Sequence, residues 1–385
     1  MKRLGFGFMR LPLLDEQDRS KVDLEQVKKM VDIYMERDFS YFDTAHRYHD
    51  EMSEPTLREA LVKRYPRESY VLTNKITLNY IKKSEDQGLF FQKQLKICGV
   101  DYFDNYLVHN MGNNWYKYAK KLGTFEFLQR MKEKGLVKQT GFSFHDTPEV
   151  LDEILNDHPE IDIVQLQINY LDWEDGGIQS KKCYEIARKH GKSIVVMEPI
   201  KGGNLIQVPD EVKTLLNAYD PEASLASWAI RFAASHEGIF TVLSGMSSLE
   251  QLEDNTRCMQ DFKLLTNEEF ELLKKAADII RSNTVIGCTN CRYCTTECPK
   301  SIAIPDYFAI YNNMKRLDNV GYVVNQKNYY MNLIQTYGKA SNCIKCGICE
   351  KNCPQHLKIR NLLEDIAEAF ENTEKLKYTN TNIVN

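Results

Sequence analysis

Short apolar runs alternate with longer segments of helical period from residue 4 to about residue 245. In the first such segment, Leu24, Val27, Val31 and Tyr34 recur at intervals that place them on one face of a helix. This alternation of strand and helix favours a parallel sheet, because consecutive parallel strands need a crossover connection between them. We predict eight strands, at residues 4–9, 39–44, 70–75, 102–109, 137–143, 163–167, 194–197 and 239–244.

Eight strands with intervening helices in about 280 residues fit a closed α/β barrel, the (β/α)8 TIM barrel, for which about 250 residues is typical. The main alternative is an open, doubly wound sheet of the kind that binds dinucleotides. The early glycines Gly5 and Gly7 lack the third glycine of the dinucleotide-binding fingerprint, so we prefer the barrel. Helices are expected to begin near Ser20 and, at a capping box, near Thr266.

The chain has 385 residues, which exceeds the length that a single hydrophobic core usually serves. We therefore expect two domains, a barrel over residues 1–280 and a smaller, cysteine-rich domain over residues 281–385. The net charge of −4 indicates no general affinity for nucleic acid. No apolar stretch approaches the length of a membrane span, so we expect no membrane partner.

Eight of the 11 cysteines lie between residues 288 and 353, in two runs of four that share the spacing C-x2-C-x2-C-x3-C-P. This is the spacing of bacterial ferredoxins, and it predicts two 4Fe-4S clusters. In two-cluster ferredoxins the fourth cysteine of each run ligates the other cluster. The predicted ligands are Cys288, Cys291, Cys294, Cys298, Cys343, Cys346, Cys349 and Cys353.

Structural zinc and disulfide bonds are the alternatives for these cysteines. Zinc sites usually combine two separated C-x2-C pairs, and disulfide frameworks belong to short secreted chains, so we prefer clusters in a reducing cytoplasm. Helices predicted at residues 304–317, 329–337 and 359–370 indicate a mainly α-helical ferredoxin-like domain. Cys98, Cys183 and Cys258 lie outside both runs and are expected to be buried apolar residues.

Asp43, Tyr48, Lys75 and His109 lie at or just beyond the C-terminal ends of the second, third and fourth predicted strands. In a parallel barrel these ends share one rim, so the four side chains are expected to converge there. A phenol beside an ammonium group can serve as a proton donor, because the cation lowers the pKa of the phenol toward neutral pH. Asp43 is then placed to orient Lys75. Each residue alone is better explained by a structural salt bridge or a capped strand end, but the four together indicate a catalytic site.

In order and spacing, Asp43, Tyr48, Lys75 and His109 resemble the Asp-Tyr-Lys-His tetrad of the aldo-keto reductase family. The resemblance covers about residues 1–280, and the cysteine-rich end is similar to that of the family's iron-sulfur-containing branch. It implies reversible carbonyl reduction with a nicotinamide dinucleotide that lies across the mouth of the barrel. In that scheme Tyr48 donates the proton and His109 orients the carbonyl oxygen. Lys75 and Asp43 tune Tyr48.

The same resemblance implies a set of cofactor contacts. Phe144 stands where the family often has asparagine, and Met197 replaces the aromatic residue that usually stacks on nicotinamide. Residues 245–248 include no Lys or Arg to meet the 2′-phosphate of NADP, so NADH is favoured over NADPH. The residues implied to contact the cofactor are Ser143, Gln165, Met197, Gly202, Gly203, Gln251 and Asn255.

Nicotinamide transfers two electrons as hydride whereas each cluster transfers one, so the sequence leaves the link between them open. The clusters either connect the barrel to an external carrier such as ferredoxin or only stabilise the protein. A third interpretation is a non-catalytic redox sensor or accessory electron-transfer subunit that retains the barrel fold. The intact tetrad favours an oxidoreductase with a small carbonyl or alcohol substrate. His46, Arg47 and His49 either meet an anionic substrate or are solvated, and solvation is favoured.

Overall fold

A computed structural model describes residues 2–282, 285–288, 290–315 and 320–372 of the chain, with the side chains of residues 320–325 excepted. Its centre is a closed barrel of parallel strands that follow one another in sequence order, which confirms the predicted (β/α)8 fold. The strands are β1 Leu4–Gly7, β2 Tyr41–Asp43, β3 Val71–Ile76, β4 Phe103–Met111, β5 Val137–Phe144, β6 Ile163–Gln167, β7 Ser193–Met197 and β8 Ile239–Ser244.

All eight predicted strands are present. β6 and β8 have the predicted bounds, and the others differ by a few residues at their ends. Neighbouring strands pair in parallel register, with Asp43 opposite Thr73 and Ser143 opposite Gln165. The C-terminal ends of the strands therefore open onto one edge of the barrel, the barrel rim.

Side-chain caps set where the barrel helices begin. Asp23 accepts a hydrogen bond from the Gln26 amide, so α1 begins just after it instead of near Ser20. Thr266 and Glu269 form the predicted capping box, in which the Thr266 amide donates to Glu269 Oε2 at 2.7 Å. The helices are α1 Leu24–Glu36, α2 Ser53–Leu57, α3 Asp86–Cys98, α4 Asn113–Leu122, α5 Thr124–Glu133, α6 Pro148–Asp157, α7 Ser180–Lys189, α8 Asp210–Tyr219, α9 Leu225–Ala234, α10 Leu249–Gln260 and α11 Asn267–Ser282.

The inside of the barrel is filled by apolar side chains from alternate strand positions, and a larger apolar layer lies between the strands and the helices. Gly141, on β5, faces this packed interior. A Cβ atom at this position would lie 2.3 Å from the Ile163 carbonyl oxygen and 2.7 Å from Leu107 Cδ2. No side chain larger than hydrogen fits there, so packing requires the glycine.

The C-terminal region packs around a second hydrophobic core, which includes Tyr307, Tyr330 and Phe370. Ile178, from the loop between β6 and α7, belongs to the same core and so joins the region to the barrel. The helices confirm the prediction of a mainly α-helical region. They are α12 Tyr293–Thr296, α13 Ile304–Lys315, α14 Val320–Leu333, α15 Ile348–Lys351 and α16 Ile359–Glu371.

The helix predicted at residues 329–337 is displaced, because α14 begins at Val320 and ends at Leu333. Beyond α14 the chain turns, and Gly338 forms an isolated parallel bridge with Ile302. The helix predicted at residues 304–317 extends to Lys315, and residues 316–317 lie outside the described part. Among the described helices, none combines the length and the apolar character that crossing a lipid bilayer requires.

We predict that Gly141→Ala lowers the free energy of unfolding by about 2 kcal/mol or more, because the new methyl group overlaps the backbone of β6. Gly88→Ala in α3 is the matched control. A Cβ atom at Gly88 meets nothing within 4 Å, and alanine favours a helix over glycine by about 1 kcal/mol. Thermal unfolding followed by circular dichroism should show a lower midpoint for Gly141→Ala and an equal or higher midpoint for Gly88→Ala. A wild-type midpoint for Gly141→Ala would contradict the packing argument.

Candidate active site at the barrel rim

Lys75 lies at the centre of a polar group formed by β2, β3 and β4. Its ammonium group donates hydrogen bonds to Asp43 Oδ1 at 2.5 Å and to the Thr44 carbonyl oxygen at 3.0 Å. Both charged side chains are buried, and the Lys75 nitrogen lies 5.1 Å from the centre of the Tyr48 ring. Burial alone would lower the pKa of Lys75, but its interactions with Asp43 and Tyr48 outweigh burial and raise it. Lys75 therefore stays protonated at neutral pH, and its ammonium group forms a buried ion pair with Asp43.

The rings of Tyr48 and His109 meet edge to face, with centroids 5.7 Å apart and planes at 87°. His109 Nδ1 also lies 3.1 Å from Thr77 Oγ1. Burial lowers the pKa of His109 well below its ordinary value, and the positive charges of Lys75 and Arg47 lower it further. The imidazole is therefore neutral at neutral pH, and it can donate one hydrogen bond and accept another.

The hydroxyl group of Tyr48 has a raised pKa. Burial raises this pKa, the charge of Lys75 lowers it by less, and the carboxylate of Asp43 raises it further. The expectation that Lys75 brings the pKa of Tyr48 toward neutral pH is therefore wrong, because the loss of water around a phenolate outweighs its attraction to the ammonium group. At neutral pH the phenol keeps its proton, which is the form that a proton donor needs.

The three basic residues next to this tyrosine have different environments. His46 is buried, and its Nδ1 lies 2.6 Å from Glu54 Oε2. His49 is also buried, and its Nε2 accepts a hydrogen bond from the Leu11 amide. Arg47 is exposed. The interpretation as solvated side chains is therefore wrong for the two histidines, which hold the loop after β2 in place.

On the other side of the barrel rim, β5 and β6 carry Ser143 and Gln165. Ser143 Oγ accepts a hydrogen bond of 2.7 Å from the Asn110 amide. Gln165 is buried, and its Oε1 has no hydrogen-bond partner among the described residues. An unpaired buried carbonyl oxygen costs about 1–3 kcal/mol, so this site favours a bound hydrogen-bond donor. Met197, at the end of β7, is half-buried.

Two glycines follow β7 in left-handed backbone conformations, with φ at 67° in Gly202 and 94° in Gly203. These angles favour glycine, and at Gly203 nothing lies within 4 Å of the place where a Cβ atom would be. A Cβ atom on Gly202 would lie 3.0 Å from Arg10 Nη2. Arg10 follows β1, and its guanidinium group lies 3.8 Å from Glu198 Oε1 across the rim. Nothing in the sequence singles out Arg10 except its position just beyond the first strand.

The segment after β8 forms hydrogen bonds mainly within itself. The Ser247 amide donates to Gln251 Oε1 at 2.8 Å, and the buried Asn255 side chain donates to Ser244 Oγ at 2.9 Å. These two predicted cofactor residues therefore shape the loop between β8 and α10. A hydrogen bond with the Ser248 side chain holds the pKa of Glu250, in the first turn of α10, below its ordinary value, so a negative charge lies next to this loop.

Helix α14 of the C-terminal region lies against the same rim. The Tyr329 hydroxyl donates to Gln167 Oε1 at 3.4 Å, and the Asn332 side chain donates to the carbonyl oxygen of His145 at 2.7 Å. His145 follows β5 directly, is buried, and has its ring centre 6.0 Å from that of Tyr329. No sequence signal predicts these contacts, because the paired residues lie 162 and 187 positions apart and no motif joins them.

The two cysteine runs fold alike. In each run the second cysteine is exposed and the third is buried. Left-handed backbone conformations recur at equivalent positions: Asn290, Arg292 and Ser301 in the first run, and Lys345, Gly347 and His356 in the second. Turns of this kind direct backbone amides into a concavity that suits anions, including iron-sulfur clusters.

One cavity is lined by three cysteines of the first run and by the fourth cysteine of the second run, namely Cys288, Cys291, Cys294 and Cys353. This exchange of the fourth cysteine is the pattern of two-cluster ferredoxins. None of the eight cysteines in the two runs, all of them described, forms a disulfide bond. Within the described ranges, no three His, Cys, Asp or Glu side chains converge closely enough to bind a single metal ion. Cys288, Cys291, Cys294 and Cys353 instead border a common cavity.

Comparisons with known sequences agree with both parts of the chain. The profile of the Aldo/keto reductase family matches residues 3–278, and the profile of a 4Fe-4S dicluster domain matches residues 287–357. An uncharacterised oxidoreductase of Schizosaccharomyces pombe is 23% identical over 270 residues, which are 67% of this chain and 81% of that protein.

Solved structures share the barrel. An aldo-keto reductase from Klebsiella pneumoniae in complex with NADPH is 18% identical, with a TM-score of 0.57 over 71% of this chain and 90% of the other. The holo form of an aldo-keto reductase from Bacillus halodurans is 22% identical, with a TM-score of 0.57 over 71% of this chain and 91% of the other. Because the family profile spans most of the sequence, this chain is an oxidoreductase that belongs to the aldo/keto reductase family and carries a C-terminal 4Fe-4S dicluster domain.

Proposed function

We propose that the barrel reversibly reduces a carbonyl group of a small substrate, with Tyr48 as the proton donor. The observation that carries this proposal is the buried pair of Lys75 and Asp43 beside Tyr48, with the neutral imidazole of His109 against the same ring. These side chains bring a proton, a fixed positive charge and a neutral hydrogen-bond donor to one point of the rim. These three groups together can polarise a carbonyl oxygen and protonate it.

In the proposed mechanism, Tyr48 binds the carbonyl oxygen and gives it the hydroxyl proton as that oxygen gains negative charge. Lys75 stabilises the phenolate that remains, and Asp43 keeps the ammonium group in place. His109 donates a second hydrogen bond to the carbonyl oxygen and so fixes its orientation. A bound nicotinamide supplies hydride to the carbonyl carbon, or accepts it in the reverse direction. The hydride and the proton together give the alcohol, so atoms and charge balance.

The proposed cofactor is a nicotinamide dinucleotide, with NADH bound at least as tightly as NADPH. Gln165 offers an unpaired acceptor for the amide group of nicotinamide, and the open space beside the Gly203 backbone suits phosphate oxygens. Residues 245–248 include no basic side chain, and Glu250 adds negative charge to the same loop. This arrangement disfavours the additional phosphate of NADPH.

The C-terminal domain, proposed to span residues 281–385, is proposed to hold two 4Fe-4S clusters. Each cluster takes three cysteines from one run and the fourth from the other, as the cavity lined by Cys288 and Cys353 supports. Cys291 and Cys346 are exposed, so both clusters approach the surface. A cluster near the surface can exchange electrons with a ferredoxin-type carrier in the cytoplasm. We therefore favour redox participation of the clusters over a purely structural role.

We predict that Tyr48→Phe lowers kcat for carbonyl reduction by at least about 100-fold, because the change removes the proton donor. Nucleotide affinity should stay at the wild-type value, since the ring remains. Tyr80→Phe is the control, because Tyr80 is 42% exposed and packs against His46 of the same loop. NADH oxidation with a panel of aldehydes and ketones measures the rate, and a fluorescence titration measures nucleotide binding. Wild-type turnover by Tyr48→Phe would remove this residue from the mechanism.

We predict that wild-type protein binds NADH at least as tightly as NADPH in a fluorescence titration. Glu250→Lys should shift the preference toward NADPH, because it replaces a negative charge by a positive one beside the proposed nucleotide site. Glu211→Lys, at the start of α8, makes the same change of charge on a different helix and should leave the preference unchanged. A strong wild-type preference for NADPH would show that a basic group elsewhere binds the 2′-phosphate.

We predict that anaerobically purified protein carries about eight iron and eight sulfide per chain. Cys291→Ser and Cys346→Ser should each reduce the iron content toward about half, because each removes one ligand of one cluster. Cys258→Ser, outside both runs, is the control and should keep the full content. Iron and sulfide analysis, with electron paramagnetic resonance after dithionite reduction, checks the result. Stoichiometric zinc without iron is the outcome that rules out the clusters.

A further inference from the structure

The end of β4 departs from the regular strand pairing where it carries His109. The parallel register with β5 shifts between Val108 and Met111, and Asn110 has a left-handed backbone conformation with φ at 60°. Such a bulge changes the direction of the side chains around it and interrupts the regular hydrogen bonds between the strands. The orientation of the His109 imidazole therefore depends on the other contacts that hold the bulge.

Two hydrogen bonds with the end of β5 hold this bulge. The Asn110 amide donates to Ser143 Oγ at 2.7 Å, and the His145 amide donates to the Met111 carbonyl oxygen at 2.9 Å. Ser143 lies within β5, whereas His145 follows the last residue of the strand. The position of the bulge therefore depends in part on a backbone segment that the strand pairing does not fix.

The C-terminal region holds the backbone of His145. Asn332, the next-to-last residue of α14, donates a hydrogen bond of 2.7 Å from Nδ2 to the His145 carbonyl oxygen. Hydrogen bonds thus connect Asn332 through the peptide groups of His145 to Met111. Asn332 is half-buried, so this connection is partly shielded from water.

The same asparagine borders the segment that follows β4. A Cβ atom on Gly112 would lie 2.6 Å from Asn332 Nδ2 and 3.0 Å from Asp146 Oδ2. The Asn113 amide donates to Asp146 Oδ2 at 2.8 Å, and the Asn113 side chain donates to Thr336 Oγ1 at 3.3 Å. The segment after β4 is therefore enclosed between Asp146 and the end of α14.

The cysteine-rich region anchors α14 from the other side. The Tyr330 ring packs against Tyr307 and Phe370, with centroids 4.8 Å and 5.0 Å apart. Its hydroxyl accepts a hydrogen bond of 3.0 Å from the Ala340 amide. In sequence, α14 lies between the two cysteine runs, so the fold of this region determines the position of Asn332.

We propose that Asn332 is a positioning residue for the barrel site: through His145 it holds the β4 bulge in the conformation that orients His109 toward the carbonyl oxygen of the substrate. This inference rests on the proposed carbonyl reduction and adds to it a residue from outside the barrel. Asn332 contacts neither substrate nor cofactor in this scheme, so its removal should lower kcat and leave nucleotide affinity unchanged. The C-terminal region then contributes to turnover independently of any electron transfer by its clusters.

A double-mutant cycle with His109 tests this role. In anaerobically prepared full-length protein, Asn332→Ala should lower kcat for the most active aldehyde of a panel by about tenfold, since it removes one hydrogen bond. In the His109→Ala background the same change should alter the residual kcat by less than about twofold, because the imidazole that it positions is absent. Gln335→Ala is the matched control and should keep the wild-type kcat, because this exposed amide donates to the Met331 carbonyl oxygen within its own segment.

The kinetic outcomes separate positioning from a general structural role. A loss of kcat in the wild-type background that disappears in the His109→Ala background supports the inference. An unchanged kcat, the same fold loss in both backgrounds, or an equal fall in nucleotide affinity overturns it. If Asn332→Ala does not fold, Asn332→Asp takes its place in the cycle, because it keeps the size of the side chain and removes the donor.

Amide hydrogen exchange distinguishes failure of this inference from failure of the proposed function. If the wild type reduces no aldehyde or ketone, mass spectrometry of peptides that cover residues 109–113 decides instead. Faster exchange in Asn332→Ala than in the wild type and Gln335→Ala supports the inference although the proposed reaction fails. Exchange that equals the wild type, or that rises equally in Gln335→Ala, overturns it. If reduction occurs and the two changes are additive in kcat, the inference fails while carbonyl reduction stands.

Discussion

Closure of eight parallel strands into one barrel is the constraint on which the other features of this protein depend. It brings strand ends that are far apart in sequence to one rim, so Asp43, Lys75, His109 and Gln165 lie at the same end of the barrel although they belong to four strands. The interior fixes this arrangement, because the packing around Gly141 leaves no volume into which a strand could shift. Precise strand positions are what allow a 2.5 Å ion pair to form inside the rim.

The rim divides into two halves of different character. On the β2–β4 side, the interaction with Asp43 raises the pKa of Lys75, so its ammonium group stays charged. Burial raises the pKa of Tyr48 and lowers that of His109, so the phenol stays protonated and the imidazole stays neutral. On the β5–β7 side, Lys201 and Asp172 form a buried ion pair, and α14 of the C-terminal region lies against the ends of β5 and β6.

The parts that the sequence predicts are those whose signal is local or whose chemistry depends on spacing. The strands follow from short apolar runs, and the tetrad and the cysteine runs follow from the order and spacing of a few residue types. The direction of the pKa shift of Tyr48 was not predictable, because it depends on how much water burial removes. The burial of His46 and His49 was not predictable either, because it depends on tertiary contacts. His46 lies within hydrogen-bond distance of Glu54, and His49 accepts a hydrogen bond from the Leu11 amide. The contact of Tyr329 with Gln167 joins two domains, and no hydrophobic periodicity or motif in the sequence indicates it.

The central claim is that the barrel rim places Tyr48 to protonate a carbonyl group beside a nicotinamide held by Gln165, and a crystal structure of anaerobically prepared protein with NAD⁺ and glycerol tests it most directly. The account predicts the amide group of nicotinamide against Gln165 and a glycerol hydroxyl within hydrogen-bond distance of the Tyr48 hydroxyl. Nicotinamide bound away from Gln165, or glycerol with no contact to Tyr48, would contradict it.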